Sequence, residues 1–440
     1  MDVLFIIPNT DRPNLQKRGL CPPIGLGSLC TVLKNNNYTS KIIDMYAKPC
    51  TKSQLIKQIK DISPKFISLS IMFSESKRVA IDIANEVKTQ FPNIPILIGG
   101  VDVTFRGIMY LKECESMDYG MTYDGEITII ELLKALNNNK DISEIEGLIY
   151  REGNNIIRNN DRKPVDINSL PTIDRSFFEL DYYEYPYTMM TSRGCPYSCI
   201  FCGGGAVSRG YHIKSLSKIE DEIKSIAQII KARGDADDHH LIFWDDAFSV
   251  DSDRVIDIGK LAYKYGLKWG GQCRVNELSL EHLSDMKKYN CQKLNFGVES
   301  GDERVLENIK KSISLEDVIR IAKYCSEIKL AASFNFLLPH PSDTEDSINK
   351  TLEFASKLNE LDYISISINL LTPFPGTYMY EKRYELGIRF LTDDEAYFHF
   401  RNPVFETKNL DMNTIKKYTA KALLLESKSK QDKKRLNIKY

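Results

Sequence analysis

Two stretches of this chain, 2–138 and 187–371, alternate short β-rich runs with amphipathic helical patterns, and few folds accept such an alternation. Strand, helix and next strand form a parallel sheet with helices on its faces, because a parallel return needs a crossover. In the first stretch the pattern predicts strands over 3–7, 40–43, 66–71, 94–98 and 119–122. Helices are expected over 24–34, 52–60, 77–89, 105–111 and 126–136. That order is a doubly wound domain, whose ligands sit at the carboxyl ends of the strands near the topological switch point. The loops after Ile7, Ile71 and Ile98 are therefore the candidate binding loops.

A hairpin is expected at 147–158 around the turn Glu152-Gly153-Asn154-Asn155, followed by a surface-crossing linker that carries Pro164, Pro171 and Pro186. The second alternation predicts strands over 187–191, 241–244, 269–273, 293–298, 331–337 and 363–369. Between the first two lies an amphipathic helix with Leu216, Ile219, Ile223, Ile226 and Ile230 on one stripe, opened by a capping box of Ser217 and Glu220. Ser314 caps a second such helix to Glu327, with Asp317 three residues on. Six βα units imply a partial barrel with its chemistry at the strands' carboxyl ends. The fold class is α/β: a flavodoxin-like domain at 1–140, hairpin and linker at 141–186, a partial (β/α)6 barrel at 187–377 and a mainly helical region at 378–440. The basic tail (Lys428, Lys430, Lys433, Lys434, Arg435, Lys439) lacks interleaved aromatics and reads as a solvated end rather than a nucleic-acid patch.

Composition excludes whole function classes. With 59 basic against 60 acidic residues there is no global pull toward nucleic acid or anionic membranes. The apolar start at 3–8 follows Asp2 and is too short for a signal-peptide core, and no stretch nears the roughly 20 apolar residues of a membrane span. A cytoplasmic protein without a membrane span is expected, with its ten cysteines reduced.

Three of those cysteines form the sharpest signal. Cys195, Cys199 and Cys202 fall at a C-x3-C-x2-C spacing in a loop directly after the first strand of the second alternation, followed by Gly203-Gly204-Gly205. Cubane iron–sulfur clusters take four thiolates, so three close ligands point to a cubane with one open iron. A zinc site completed by His212, or three cysteines packed as small hydrophobes, is the alternative. Cys21, Cys30, Cys50, Cys114, Cys273, Cys291 and Cys325 are scattered in apolar runs and read as buried spectators.

At these residues the sequence resembles the radical S-adenosylmethionine (SAM) superfamily, whose signature is this spacing with an aromatic before the last cysteine, here Phe201. The resemblance implies a 4Fe–4S cluster on Cys195, Cys199 and Cys202, whose open iron chelates SAM and whose electron cleaves it to a 5′-deoxyadenosyl radical. It extends through Phe243-Trp244-Asp245-Asp246, Cys273-Arg274-Val275-Asn276, Phe296-Gly297-Val298-Glu299-Ser300-Gly301 and Thr372-Pro373-Phe374-Pro375-Gly376-Thr377, all at expected strand ends. Phe201, Gly203, Asp246, Arg274, Glu299 and Ser300 are the implied SAM residues, with Glu299 bridging ribose hydroxyls. Where relatives carry Gly-x-Pro-Gly-Glu-Thr, this chain has Leu338-Pro339-His340-Pro341-Ser342-Asp343-Thr344. His340 is expected as a polar residue of an exposed Pro-rich loop, with a catalytic acid or base as the alternative.

The first domain, with Cys21-Pro22-Pro23-Ile24-Gly25-Leu26-Gly27, Ser68-Leu69-Ser70, Gly99-Gly100 and Tyr123-Asp124-Gly125-Glu126, resembles the cobalamin-binding domain that precedes many radical SAM domains. The resemblance places Ser70, Gly99 and Gly100 along the corrinoid's nucleotide tail. All six histidines lie beyond residue 211, and Asp-x-His-x-x-Gly is absent, so a corrinoid would bind base-off with no histidine on cobalt. The implied activity is methylation of an unactivated carbon in a small molecule or modified peptide, with an electron donor such as flavodoxin or ferredoxin. A non-methylating radical step (cyclisation, ring contraction or dehydrogenation) and a non-enzymatic iron–sulfur or zinc module are the alternatives.

Overall fold

A computed structural model describes residues 1–10, 19–235, 240–400 and 402–435, with the side chains of 428 and 430–435 excepted. The basic tail therefore lies outside the described side chains, and His239 outside the described residues. The chain forms two compact units, residues 1–186 with 207–209, and residues 187–206 with 210–440.

The first unit runs β1 (Val3–Ile7), α1 (Ile24–Asn35), β2 (Ser40–Asp44), α2 (Lys52–Ile62), β3 (Phe66–Ser70), α3 (Lys77–Gln90), β4 (Ile96–Gly99), α4 (Val101–Glu113), β5 (Tyr119–Met121) and α5 (Glu126–Asn137). The hairpin β6 (Leu148–Glu152) and β7 (Asn155–Arg158) follows. Sheet order is β2-β1-β3-β4-β5-β6-β7, parallel through β5. The hairpin adds antiparallel to β5 and so extends the sheet, because Leu148, Ile149 and Tyr150 are apolar enough to bury. The strand order reverses between β1 and β3, which makes the end of β3 a switch-point edge. Helix α4 spans 13 residues where seven were expected, since Asp102, Thr104 and Arg106 break the apolar pattern yet are buried.

The second unit runs β8 (Thr188–Met189), β9 (Ser192–Gly194), α6 (Gly204–Ser208), β10 (Tyr211–Ile213), α7 (Leu216–Arg233), β11 (Leu241–Phe243), α8 (Ser252–Lys264), β12 (Trp269–Cys273) and α9 (Leu280–Lys288). It continues with β13 (Cys291–Glu299), α10 (Glu303–Asn308), α11 (Leu315–Glu327), β14 (Ala331–Leu338), α12 (Glu345–Asn359), β15 (Ile364–Leu370), α13 (Tyr378–Glu381), β16 (Arg389–Phe390), β17 (Phe405–Glu406) and α14 (Met412–Arg435). Six strands form one parallel sheet in the order β15-β14-β13-β12-β11-β8, the layout of a partial barrel. The last region is not helical throughout: β16 and β17 pair antiparallel before the 24-residue α14.

Local chemistry explains one departure from expectation. Helix α7 is capped by Ser215, which accepts from the Lys218 amide, and not by Ser217; Glu220 instead takes Lys264 and Tyr265. The isoleucines of the stripe are buried, while Leu216 at the first turn stays 40% exposed. Five of the scattered cysteines are buried, whereas Cys21 and Cys50 are half-buried.

The β4–α4 junction requires a glycine at one position and not at its neighbour. Gly100 has φ +112°, and a Cβ there would lie 2.4 Å from the Ile71 carbonyl oxygen; at Gly99 the nearest atom would be Met121 Cε at 3.7 Å. Gly100→Ala is therefore expected to lower stability by about 1–3 kcal/mol. Gly99→Ala should stay within about 0.5 kcal/mol of the parent in chemical denaturation.

Candidate radical SAM centre

The cysteine loop starts from a buried clamp. Asp245, just beyond β11, points its Oδ1 at the chain after β8, where it accepts from the Thr191 amide (2.8 Å), the Thr191 hydroxyl (3.0 Å), the Ser192 hydroxyl (2.5 Å) and the Ser192 amide. Arg254 of α8 adds donors to the Thr191 carbonyl (2.8 Å) and hydroxyl (3.3 Å). Burial pushes the Asp245 carboxyl above its ordinary range, and those donors oppose the shift. Asp246, the neighbour expected to meet SAM, is exposed and lies against Gly204.

Beyond the clamp, Cys195 and Cys199 are half-buried; Cys202 is exposed to solvent as a residue, although protein atoms crowd its sulfur. Donors are aimed at two of the sulfurs: the Gly204 amide at Cys202 Sγ (3.5 Å) and Arg274 Nη1 at Cys199 Sγ (3.9 Å). Such contacts suit thiolates, and they fit the donor set an iron–sulfur cluster needs. Burial pushes the Cys195 and Cys202 thiols up, so metal loading must displace protons from them. Among the described residues no group of three or more His, Cys, Asp and Glu side chains is gathered to hold a mononuclear metal ion. Gly203 has open surroundings, with Thr377 Cγ2 at 3.9 Å the nearest contact of a would-be Cβ.

The turn after α10 ties this loop to the end of β13. The Ile309 carbonyl accepts from the Ile200 amide (3.2 Å), the Lys310 carbonyl from the Cys199 thiol (3.5 Å), the Lys311 carbonyl from Arg274 Nη2, and the Ser312 carbonyl from Asn276 Nδ2 (3.1 Å). From the same turn the buried Lys311 Nζ donates to Glu299 Oε1 at 2.7 Å. Glu299 has φ +74°, a left-handed conformation, at a register shift between β13 and β14. Among the described residues Lys311 alone binds its carboxylate, through Oε1. Ser300 is committed elsewhere, to Thr351 (3.2 Å) and the Asp302 amide (3.2 Å).

His340 corrects the expectation of an exposed loop: it is fully buried. Its ring faces Phe201 at 5.8 Å, Nε2 lies 3.4 Å from the Glu299 carbonyl, and buried Nδ1 has no partner among the described residues. Pro339 and Pro341 suggested surface, but the Asp343 carboxylate accepts the His340 amide (2.7 Å) and folds the loop inward. The signals sequence reasoning missed are Asp245, two residues past β11, and Lys311, which lies in a turn with no periodicity to mark it.

In the first unit Ser70 ends β3 and Gly99 ends β4. Next to them Asp102 is buried with Arg106, Tyr110 and Ser74. Met72 and Phe73, beyond β3, are 45% and 46% exposed.

Comparison with known proteins agrees with both halves. Residues 189–355 match the Radical SAM superfamily and residues 16–133 the B12 binding domain. A Radical SAM domain and a B12 binding domain are both present in this chain. It is 29% identical over 437 residues to an uncharacterized methyltransferase of Pyrococcus horikoshii, covering 96% of this chain and 92% of the other. It is 22% identical over 433 residues to the anaerobic magnesium-protoporphyrin IX monomethyl ester cyclase of Rubrivivax gelatinosus, covering 94% and 75%. Among solved structures, the radical S-adenosylmethionine methyltransferase TsrM of Kitasatospora setae, with cobalamin and a 4Fe–4S cluster bound, shares the fold at TM-score 0.72 and 19% identity over 90% and 81% of the chains. No helix among the described residues is long and apolar enough to cross a membrane.

The buried loop after β14 makes a pH prediction. Burial lowers His340 to about 4 and raises Asp343 to about 6. The lowered histidine favours folding above its unfolded value of about 6.5 and loses that advantage as pH falls toward 4. The raised carboxyl does the reverse, favouring folding below about 3.9 and losing the advantage as pH climbs through 6. Between pH 4 and 6 the two offset each other. Asp343→Asn removes the compensation, so its deficit relative to the parent should grow by about 1.4 kcal/mol for each pH unit lowered across that window, as measured by urea unfolding.

Proposed function

We propose that this protein is a cobalamin-dependent radical SAM methyltransferase acting on an unactivated carbon of a small molecule or modified peptide. The observation that carries the reading is the union, in one chain, of a B12-binding domain with a radical SAM domain whose three-cysteine loop adjoins the Glu299–Lys311 pair. In this reading Cys195, Cys199 and Cys202 hold the 4Fe–4S cluster, and Phe201, Gly203, Asp246 and Glu299 receive SAM. Ser70, Gly99 and Gly100 follow the nucleotide tail of a corrinoid bound base-off. When bound, the cluster supplies the electron that cleaves SAM to a 5′-deoxyadenosyl radical, and the corrinoid carries the methyl group.

The chain's own work is positioning. Lys311 fixes one oxygen of Glu299 so that the other can accept ribose hydroxyls, and the open surroundings of Gly203 let backbone approach the ligand. A small-molecule substrate and a flavodoxin- or ferredoxin-type electron donor complete the reading. The likeness to the Rubrivivax gelatinosus cyclase supports a second reading, in which the same centre performs a non-methylating radical step.

Cys199→Ala is expected to hold no four-iron cluster after anaerobic reconstitution, because no fourth thiol stands in the loop to replace it; iron and sulfide content and the absorption spectrum report it. With a substrate in hand, each turnover should release 5′-deoxyadenosine and S-adenosylhomocysteine in equal amounts, and both should fall when cobalamin is withheld. Product and deoxyadenosine without S-adenosylhomocysteine would overturn methyl transfer in favour of the second reading.

A further inference from the structure

Arg274 was expected to meet SAM, but its surroundings indicate another task. The residue is 9% exposed. Its Nη1 is directed at Cys199 Sγ (3.9 Å), its Nη2 at the Lys311 carbonyl, and its guanidinium carbon stands 3.7 Å over the centre of the Tyr197 ring. Nε is buried without a hydrogen-bond partner, and among the described residues no carboxylate forms an ion pair with it. The nearby Glu277 is already taken by two hydroxyls, Tyr197 Oη and Ser249 Oγ, which fix the ring beneath the guanidinium. Ser249 Oγ in turn accepts the Arg274 amide at 2.8 Å. One face of the guanidinium and both its terminal nitrogens are thus set by the fold.

A guanidinium taken out of water costs several kcal/mol unless a negative partner compensates it. Here the group it faces is a cysteine of the proposed cluster, which ligates iron as a thiolate. Charge and hydrogen bonds at the sulfurs of an iron–sulfur cluster are among the factors that set its reduction potential. A fixed cation favours the form with the extra electron.

We propose that Arg274 is a positioning residue for cluster charge: its Nη1 contact with Cys199 raises the cluster's reduction potential and eases the electron transfer that starts the reaction. The inference rests on the cluster assignment above. It departs from pairing with the carboxylate of SAM because both terminal nitrogens are directed to protein atoms, Cys199 Sγ and the Lys311 carbonyl.

The test is the midpoint potential of the reconstituted protein without SAM, followed by paramagnetic resonance, in the parent, Arg274→Gln and Arg274→Lys. The potential of Arg274→Gln should shift negative with iron and sulfide per chain unchanged, and Arg274→Lys, which keeps the charge but loses the planar fork, should fall between. An unchanged potential in Arg274→Gln with an intact cluster overturns the proposal. An unchanged potential with weakened SAM binding also overturns it and assigns the arginine to the ligand carboxylate. Should Arg274→Gln assemble no cluster, Arg274→Lys decides: a negative shift supports the tuning role and parental behaviour overturns it. A parent protein with no four-iron signal would instead refute the cofactor reading itself.

Discussion

The cysteine loop depends on one buried carboxylate. Asp245 sits 1% exposed between two chain segments and gathers four donors from Thr191 and Ser192 on a single oxygen. Its hydrogen bonds replace water at Oδ1, while the buried Oδ2 has no partner among the described residues. In return the carboxylate fixes the exit of the chain from β8, and from that exit the loop through Cys195, Cys199 and Cys202 is thrown across the strand ends. Arg254 reinforces the same exit from the other side.

Charge then organises the rest of the centre in pairs whose members come from different strands or turns. Glu299 stands on a left-handed residue, a conformation costly for a residue with a side chain, and the Lys311 ion pair holds its carboxylate at one oxygen. His340 supports the same residue from below through its carbonyl, while its ring backs Phe201. The buried loop bearing His340 and the turn bearing Lys311 therefore converge on one glutamate, and the cysteine loop touches both.

Much of this was legible in the sequence because parallel strands are written as short continuous apolar runs and the helices between them as 3.6-residue stripes. Phe66–Ser70 and Trp269–Cys273 stand within one residue of their expected bounds for that reason. The cysteine spacing was legible because its chemistry is local. What escaped was non-local. Asp245 and Asp246 are adjacent acids, and only the pairing of β11 with β8 decides which of them turns inward. His340 lies between prolines that ordinarily mark surface, and its burial follows from the Asp343 contact three residues on. Lys311 carries no pattern because its partner, Glu299, belongs to another element.

The contacts that shape the loop reach far along the chain: Thr191 to Asp245, Cys199 to Arg274, and Cys199 to Lys310, separated by 54, 75 and 111 residues. Closing such distances is slow relative to forming a helix, and it waits on segments made later during synthesis. The three cysteines leave the ribosome well before the turn that orders them. On this architecture the contacts of Cys199 with Arg274 and with the Lys310 carbonyl can form only after residue 310 has been made, so the order of the cysteine loop is a late product of folding and not a local property of its own sequence.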